Sequence, residues 1–319
     1  MTIDTIRPTL EPHTQQFVDS LTGAPPIHTL SPAEARSVLV QVQSMPVGKP
    51  SAKIEDTAFP VGPTRSVPVR IVRPAGTVDV LPAVIYIHGG GWILGDRNTH
   101  DRLVREIAVG VEAAVVFVDY DRSPEARYPV AIEQAYAATC YVVDHSADLR
   151  IDPSRLAVAG DSVGGNMAAA LTLMARQRRG PKVSFQVLFY PVTDADFDTA
   201  SYTRFADGPW LTKRAMQWFW DAYLPDPAAR KEPTASPLNA SLEQLSGLPE
   251  ALVVVDENDV LRDEGEAYAR KLANAGVRVT SLRYNGTIHD FVMLNALADT
   301  PATRGAIAQA VCALRGALG

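Results

Sequence analysis

The sequence predicts an α/β fold: a mostly parallel sheet of about eight strands, helices on both faces and a helical cap. Three observations predict it. From Ala83 onward, short apolar runs alternate with stretches of helical period. Runs such as Ala83–Ile87 and Ala114–Val118 are apolar at every position, as in strands covered on both faces, not at every second one. One long aromatic-rich stretch, 194–239, interrupts the alternation.

In chain order, residues 1–50 are proline-rich with helical patches and read as an N-terminal cap segment. Ser31-Pro32-Ala33-Glu34 is a capping box: Ser at N-cap, Pro at the first helical position, Glu at N3. Ala35, Val38, Leu39 and Val42 then form one apolar face. Residues 51–319 form the main domain. Lys53–Phe59 and Val67–Arg73 read as strands joined by a turn near Gly62-Pro63. Ala83–Ile87 and Ala114–Val118 are buried strands, with a helix carrying Leu103, Val104, Ile107 and Ala108 between them. Val130–Val143 is a helix. Leu156–Ala159 is a strand, followed by a segment of good helix formers from Asn166 to Arg176. Val183–Tyr190 and Ala251–Val255 are strands, and Glu264–Ala275 is a helix stopped by Gly276. Val277–Tyr284 is the last strand and Thr300–Leu318 the last helix. The 194–239 stretch holds three of the four tryptophans and is too long for a plain connection, so it reads as a cap insertion.

Composition narrows the function. A net charge of −6, with scattered basic residues, argues against a nucleic-acid partner. Cys140 and Cys312 form no C-x-x-C, so neither a disulfide framework nor a metal site is expected. Neither a signal-peptide pattern nor a membrane-length apolar run is visible, which points to a cytoplasmic protein without a membrane partner. A homodimer is compatible with all of this.

The chemistry gathers at Gly160-Asp161-Ser162-Val163-Gly164-Gly165, between a strand and a helix. G-x-S-x-G in that setting presents a serine on a tight, strained turn, with small residues two before and two after so that strand and helix can meet. A serine hydroxyl needs a base and a group that orients the base. Of six histidines, His13, His28, His100 and His145 read as surface or capping residues. His88 heads Gly89-Gly90-Gly91 and reads as a support for that loop. His289, just past the last strand, lies at the sheet edge where ligands bind and is the expected base. The acid should come from Asp256-Glu257-Asn258-Asp259; Asp263 and Glu264 read as first-turn helix residues. Asp259, in the loop, is preferred over Glu257, but the residues separate them only weakly.

His88-Gly89-Gly90-Gly91-Trp92 follows a strand, and consecutive glycines let backbone N–H groups turn inward. With the Val163 N–H they form a site for the oxyanion of a tetrahedral intermediate. Neither G-x-x-x-x-G-K-[ST] nor a G-x-G-x-x-G spacing is present, so no nucleotide or other cofactor is expected. Trp92, Trp210 and Phe291 are expected in the substrate pocket.

These motifs together resemble the hormone-sensitive-lipase-like branch (bacterial family IV) of the α/β-hydrolases. The resemblance rests on His88–Trp92, Val118-Asp119-Tyr120, Ser123-Pro124-Glu125, Tyr128-Pro129, Gly160–Gly165, Tyr190-Pro191, Ser236-Pro237-Leu238, Asp259–Gly265, and His289 with Phe291. It covers about 53–318. It implies an α/β-hydrolase fold and a serine carboxylesterase with Ser162 as nucleophile, His289 as base, Asp259 as orienting acid and oxyanion donors from Gly90, Gly91 and Val163. Three positions depart from the pattern: Val163 for alanine, Asp290 for glycine, and Asp121-Arg122-Ser123 for Arg-Leu-Ala. Asp290 stands where it could shift the imidazole pKa. The expected substrate is a small-molecule ester with a short acyl chain. The rate should rise as the imidazole deprotonates, at about pH 6–7. The alternatives are a non-catalytic small-molecule binder on the same fold, or cleavage of amides, carbonates or thioesters.

Overall fold

The structure is a computed structural model that describes residues 8–319. Two helices come first, α1 (Pro12–Ser20) and α2 (Pro32–Val42). The capping box at α2 is formed: Ser31 Oγ accepts from the Glu34 N–H, and Glu34 reaches back to the Ser31 N–H. Strands β1 (Ala52–Phe59) and β2 (Val67–Pro74) pair antiparallel, with Ala52 opposite Pro74.

Alternation then sets in: β3 (Leu81–Ile87), α3 (Asp101–Val111), β4 (Ala114–Val118), α4 (Val130–Asp144), β5 (Ile151–Asp161), α5 (Val163–Gln177) and β6 (Phe185–Phe189). The 194–239 stretch contains α6 (Ala200–Arg204) and α7 (Lys213–Tyr223). After it come α8 (Leu242–Leu245), β7 (Glu250–Asn258), α9 (Arg262–Asn274), β8 (Val279–Ile288) and α10 (Pro301–Leu318).

One eight-stranded sheet results, in the order β1-β2-β4-β3-β5-β6-β7-β8. β2 is antiparallel to β1 and β4; the remaining pairs are parallel. Every residue of β3, β4 and β6 is buried, so both faces of the central sheet are covered. α3 packs beside α10, and α4 beside α5.

The strand order locates the site. From β3 the chain steps out to β4, then crosses back to β5 on the other side of β3. Connections leaving β3 and β5 therefore diverge, opening a crevice beyond their C-terminal ends. The glycine loop and Ser162 leave those two ends. At the far edge, β8 runs four residues past its expected end. A register shift between Asp256 and Asn258 lets Asn258 pair with Ile288, which brings His289 back over the sheet. Among the described residues no helix is long and apolar enough to cross a membrane.

Candidate active site

Ser162 has φ 54° and ψ −121°, a left-handed backbone that a non-glycine residue adopts only when its surroundings hold it there. Three bonds do so. Its N–H donates to Phe189 O (2.9 Å), and its carbonyl accepts from Asn166 N (3.0 Å) and Val192 N (3.2 Å). A Cβ on Gly160 would strike the Gly164 carbonyl, and one on Gly164 would strike the Ile87 carbonyl. The two glycines are thus what allow β5, α5 and β3 to meet so closely.

Ser162, Asp259 and His289, distant in the chain, come together. His289 Nε2 is 2.9 Å from Ser162 Oγ, and Nδ1 is 2.7 Å from Asp259 Oδ2. Asp259 Oδ1 accepts from the Leu261 N–H at 3.0 Å. All three side chains are buried. With the ring proton on Nδ1 facing the carboxylate, Nε2 keeps a lone pair toward the hydroxyl. Glu257 points elsewhere: it accepts from the Gly286 N–H at 2.7 Å. Asp256, Asp259 and His289 bring donor atoms within 4.8 Å of one another, but both nitrogens of His289 are already engaged by Asp259 and Ser162.

The imidazole is more basic than expected. Burial works against its protonation, but the charge of Asp259, and after it that of Asp290, outweighs burial and pushes the pKa up to about 9. That stands above the about 6–7 expected of an ordinary histidine. Asp290, one of the three departures seen in the sequence, does act on the imidazole. Its Oδ1 lies 3.5 Å from His289 Nε2, and its Oδ2 accepts from Trp210 Nε1 at 2.9 Å.

Gly90 (φ 103°) and Gly91 (φ 61°) turn the loop that faces Ser162, and the Leu94 N–H closes it on Gly90 O at 2.7 Å. The N–H of Val163, the first residue of α5, is one of the terminal donors without an intrahelical partner. Behind the loop, His88 stacks on Tyr120 at 4.1 Å, its Nδ1 2.8 Å from Gly89 O. Burial pushes His88 down to about 4, which keeps it neutral. His100 stands at the N-cap position of α3, as expected, but its side chain makes no cap bond and does not face solvent. It is buried with Nε2 3.2 Å from Asp161 Oδ2, while the Tyr86 hydroxyl donates to Asp161 Oδ1 at 2.6 Å. A side chain on Gly89 would overlap Asp161, so the loop rests directly on this network.

A cavity of about 230 Å³ opens from Ser162 and His289. Its walls come from the glycine loop, from Ile27, Val38 and Leu39 of the N-terminal segment, and from Trp210, Met216 and Phe219 of the 194–239 stretch. Trp210 lines it as expected. Trp92 and Phe291 do not. Trp92 is fully buried, stacked on Tyr223 at 4.0 Å and edge-on to Trp220, where it ties the glycine loop to α7. Phe291 packs against Tyr190 and Tyr284, because the left-handed backbone of Asp290 (φ 68°) turns the next side chain into the core. Phe219, readable in the sequence only as one of the aromatic residues of the 194–239 stretch, lines the cavity as well.

The sequence profile of the α/β-hydrolase fold matches residues 84–293, two-thirds of the chain. The chain belongs to the α/β-hydrolase family. Within it, this hydrolase is 38% identical to the carboxylesterase NlhH of Mycobacterium tuberculosis over 320 residues, covering 98% of this chain and 97% of that one. It is 36% identical to an ethyl acetate hydrolase of Pseudomonas putida over 277 residues, covering 85% and 86%. Among solved structures, a thermostable esterase from Pseudomonas putida superposes with a TM-score of 0.96 at 51% identity, covering 98% of each chain. The protein is a carboxylic ester hydrolase of the hormone-sensitive-lipase-like branch. Of its departures from the branch, Arg122 ties down the far end of the glycine loop by donating to Gly95 O at 2.7 Å. Asp121 accepts from Gln134.

Proposed function

We propose that this hydrolase cleaves short-chain acyl esters through an acyl-enzyme, with Ser162 as nucleophile, His289 as general base and Asp259 as the acid that orients it. One observation carries the reading: His289 bridges Ser162 and Asp259 at 2.9 and 2.7 Å in a buried site. Ser162 Oγ attacks the ester carbonyl as Nε2 takes its proton. The imidazolium, stabilised by Asp259, returns that proton to the departing alcohol. Water then attacks the acyl-enzyme, giving its proton to Nε2, and the carboxylic acid leaves with Ser162 restored. The N–H groups of Gly90, Gly91 and Val163 receive the carbonyl oxygen as it gains charge; each such donor is worth about 10²–10³ in rate.

The cavity supports the chain length. At about 230 Å³ it is smaller than the roughly 300–1,000 Å³ of pockets for drug-sized ligands. Residues 8–50 and 194–239 act as its cap, since both supply walls. Ser162→Ala should abolish turnover of p-nitrophenyl acetate and labelling by a fluorophosphonate while leaving the thermal transition in place. Retained turnover would refute the assignment. A p-nitrophenyl ester series should peak below about eight carbons, as the small cavity implies; a maximum among long-chain esters would contradict the cap geometry.

A further inference from the structure

Asp256 sits near the C-terminal end of β7, three residues before Asp259, which follows the strand directly. It is fully buried, and no N–H or hydroxyl is bonded to either of its oxygens. A carboxyl so placed is costly unless something nearby uses it. What lies nearby is the acid–base pair: Asp256 Oδ2 is 3.9 Å from His289 Nδ1, the nitrogen that Asp259 holds at 2.7 Å. From the triad reading above, we propose that Asp256 is a reserve orienting acid, which takes over His289 Nδ1 when Asp259 is absent.

The exchange works through charge. Two carboxylates and Asp290 surround one imidazole, and they cannot all be ionised in a buried site. Burial, the charge of Asp259 and then that of Asp290 push the Asp256 carboxyl well above the usual range, which favours its protonated form. The Asp259 carboxylate is the neighbour on which that proton acts. Removing the Asp259 carboxylate removes both the acceptor and the nearest like charge. Asp256 then ionises beside an unsatisfied imidazole N–H, and a shift of about 1 Å brings it into hydrogen-bond range.

The test is kcat/KM for p-nitrophenyl butyrate in single and double variants. Loss of the orienting acid in a Ser-His-Asp triad costs about 10⁴. Asp259→Ala should lose only about 10², because Asp256 moves in. Asp256→Asn/Asp259→Ala should fall the full ~10⁴, although Asp256→Asn alone costs less than about tenfold. Asp259→Asn should be worse than Asp259→Ala, because its amide fills the space that Asp256 needs. The residual activity of Asp259→Ala should also rise with pH through an ionisation missing from the double variant. If Asp259→Ala folds poorly, Asp259→Ser, whose hydroxyl keeps an acceptor for the Leu261 N–H, serves the same comparison. Asp259→Ala as inactive as the double variant at every pH would overturn the proposal and leave the triad standing. Activity retained by His289→Ala would instead overturn the triad reading itself, and the reserve acid with it.

Discussion

Asp290→Asn should make the hydrolase more active near neutral pH. In the free enzyme His289 is held at about 9, against an ordinary 6.5. That difference corresponds to about 3 kcal/mol favouring the protonated ring. A full charge at the 3.5 Å between Asp290 Oδ1 and His289 Nε2 would contribute about 5 kcal/mol at an effective dielectric of 20. That figure is a ceiling. Burial pushes the Asp290 carboxyl upward, and the Trp210 indole shares its charge. Asp259 also outranks it. Asp290 therefore supplies the smaller part, on the order of 1 kcal/mol, or somewhat under one pH unit. Asparagine is the right replacement, since it tolerates φ 68° and its amide oxygen keeps the indole bond. The assay is kcat/KM for p-nitrophenyl acetate across pH, corrected for spontaneous hydrolysis. The acid limb of the wild type should lie near 9 and that of Asp290→Asn near 8, with up to about a tenfold gain at neutral pH. A limb that stays in place or moves upward would refute the electrostatic account.

Three further outcomes follow from the geometry. Gly91→Ala should cost about 10²–10³ in kcat and also lower the melting temperature, because a Cβ there meets the buried Phe219 ring at a φ of 61°, and the loop must turn its N–H away; kinetics beside a melting curve checks this. Arg36 of α2 donates to Ile93 O (2.8 Å) and Ser123 O (2.9 Å), fastening the N-terminal segment beside the glycine loop. Arg36→Ala should therefore raise KM several-fold and cost about 2 kcal/mol in denaturant unfolding. Asp256→Asn should gain stability relative to wild type as pH rises. An acid whose folded pKa is raised destabilises the fold progressively from its unfolded value of 3.8 upward, and the amide carries no such penalty. Melting temperatures at acid and alkaline pH would show the gap widening; a constant gap would argue against a protonated Asp256.

Much of this molecule was readable in its residues. The capping box at Ser31, the all-apolar strands and the glycines around Ser162 each express a local demand: a satisfied helix end, a strand covered twice, a backbone that only a missing Cβ permits. His289 was readable because the end of a late strand lies at the ligand-binding edge. The carboxylate that bonds to His289 was less so. Asp256, Glu257 and Asp259 are neighbours of one chemical type, and the register shift in β7 decides which faces the imidazole. The aromatic residues were least legible. Trp92, Trp210 and Phe291 look alike as pocket candidates, yet only Trp210 reaches the cavity.

By itself, then, the chain determined its alternation of strands and helices, its two glycine-lined turns and the chemical types brought to one sheet edge. Those depend on backbone geometry over a few residues. Only the tertiary structure decided that His100 pairs with Asp161, that Asp256 stands behind Asp259, and that His289 is raised to about 9. Hydrogen bonds and buried charges change over fractions of an ångström between segments far apart in sequence, and no local pattern records those distances.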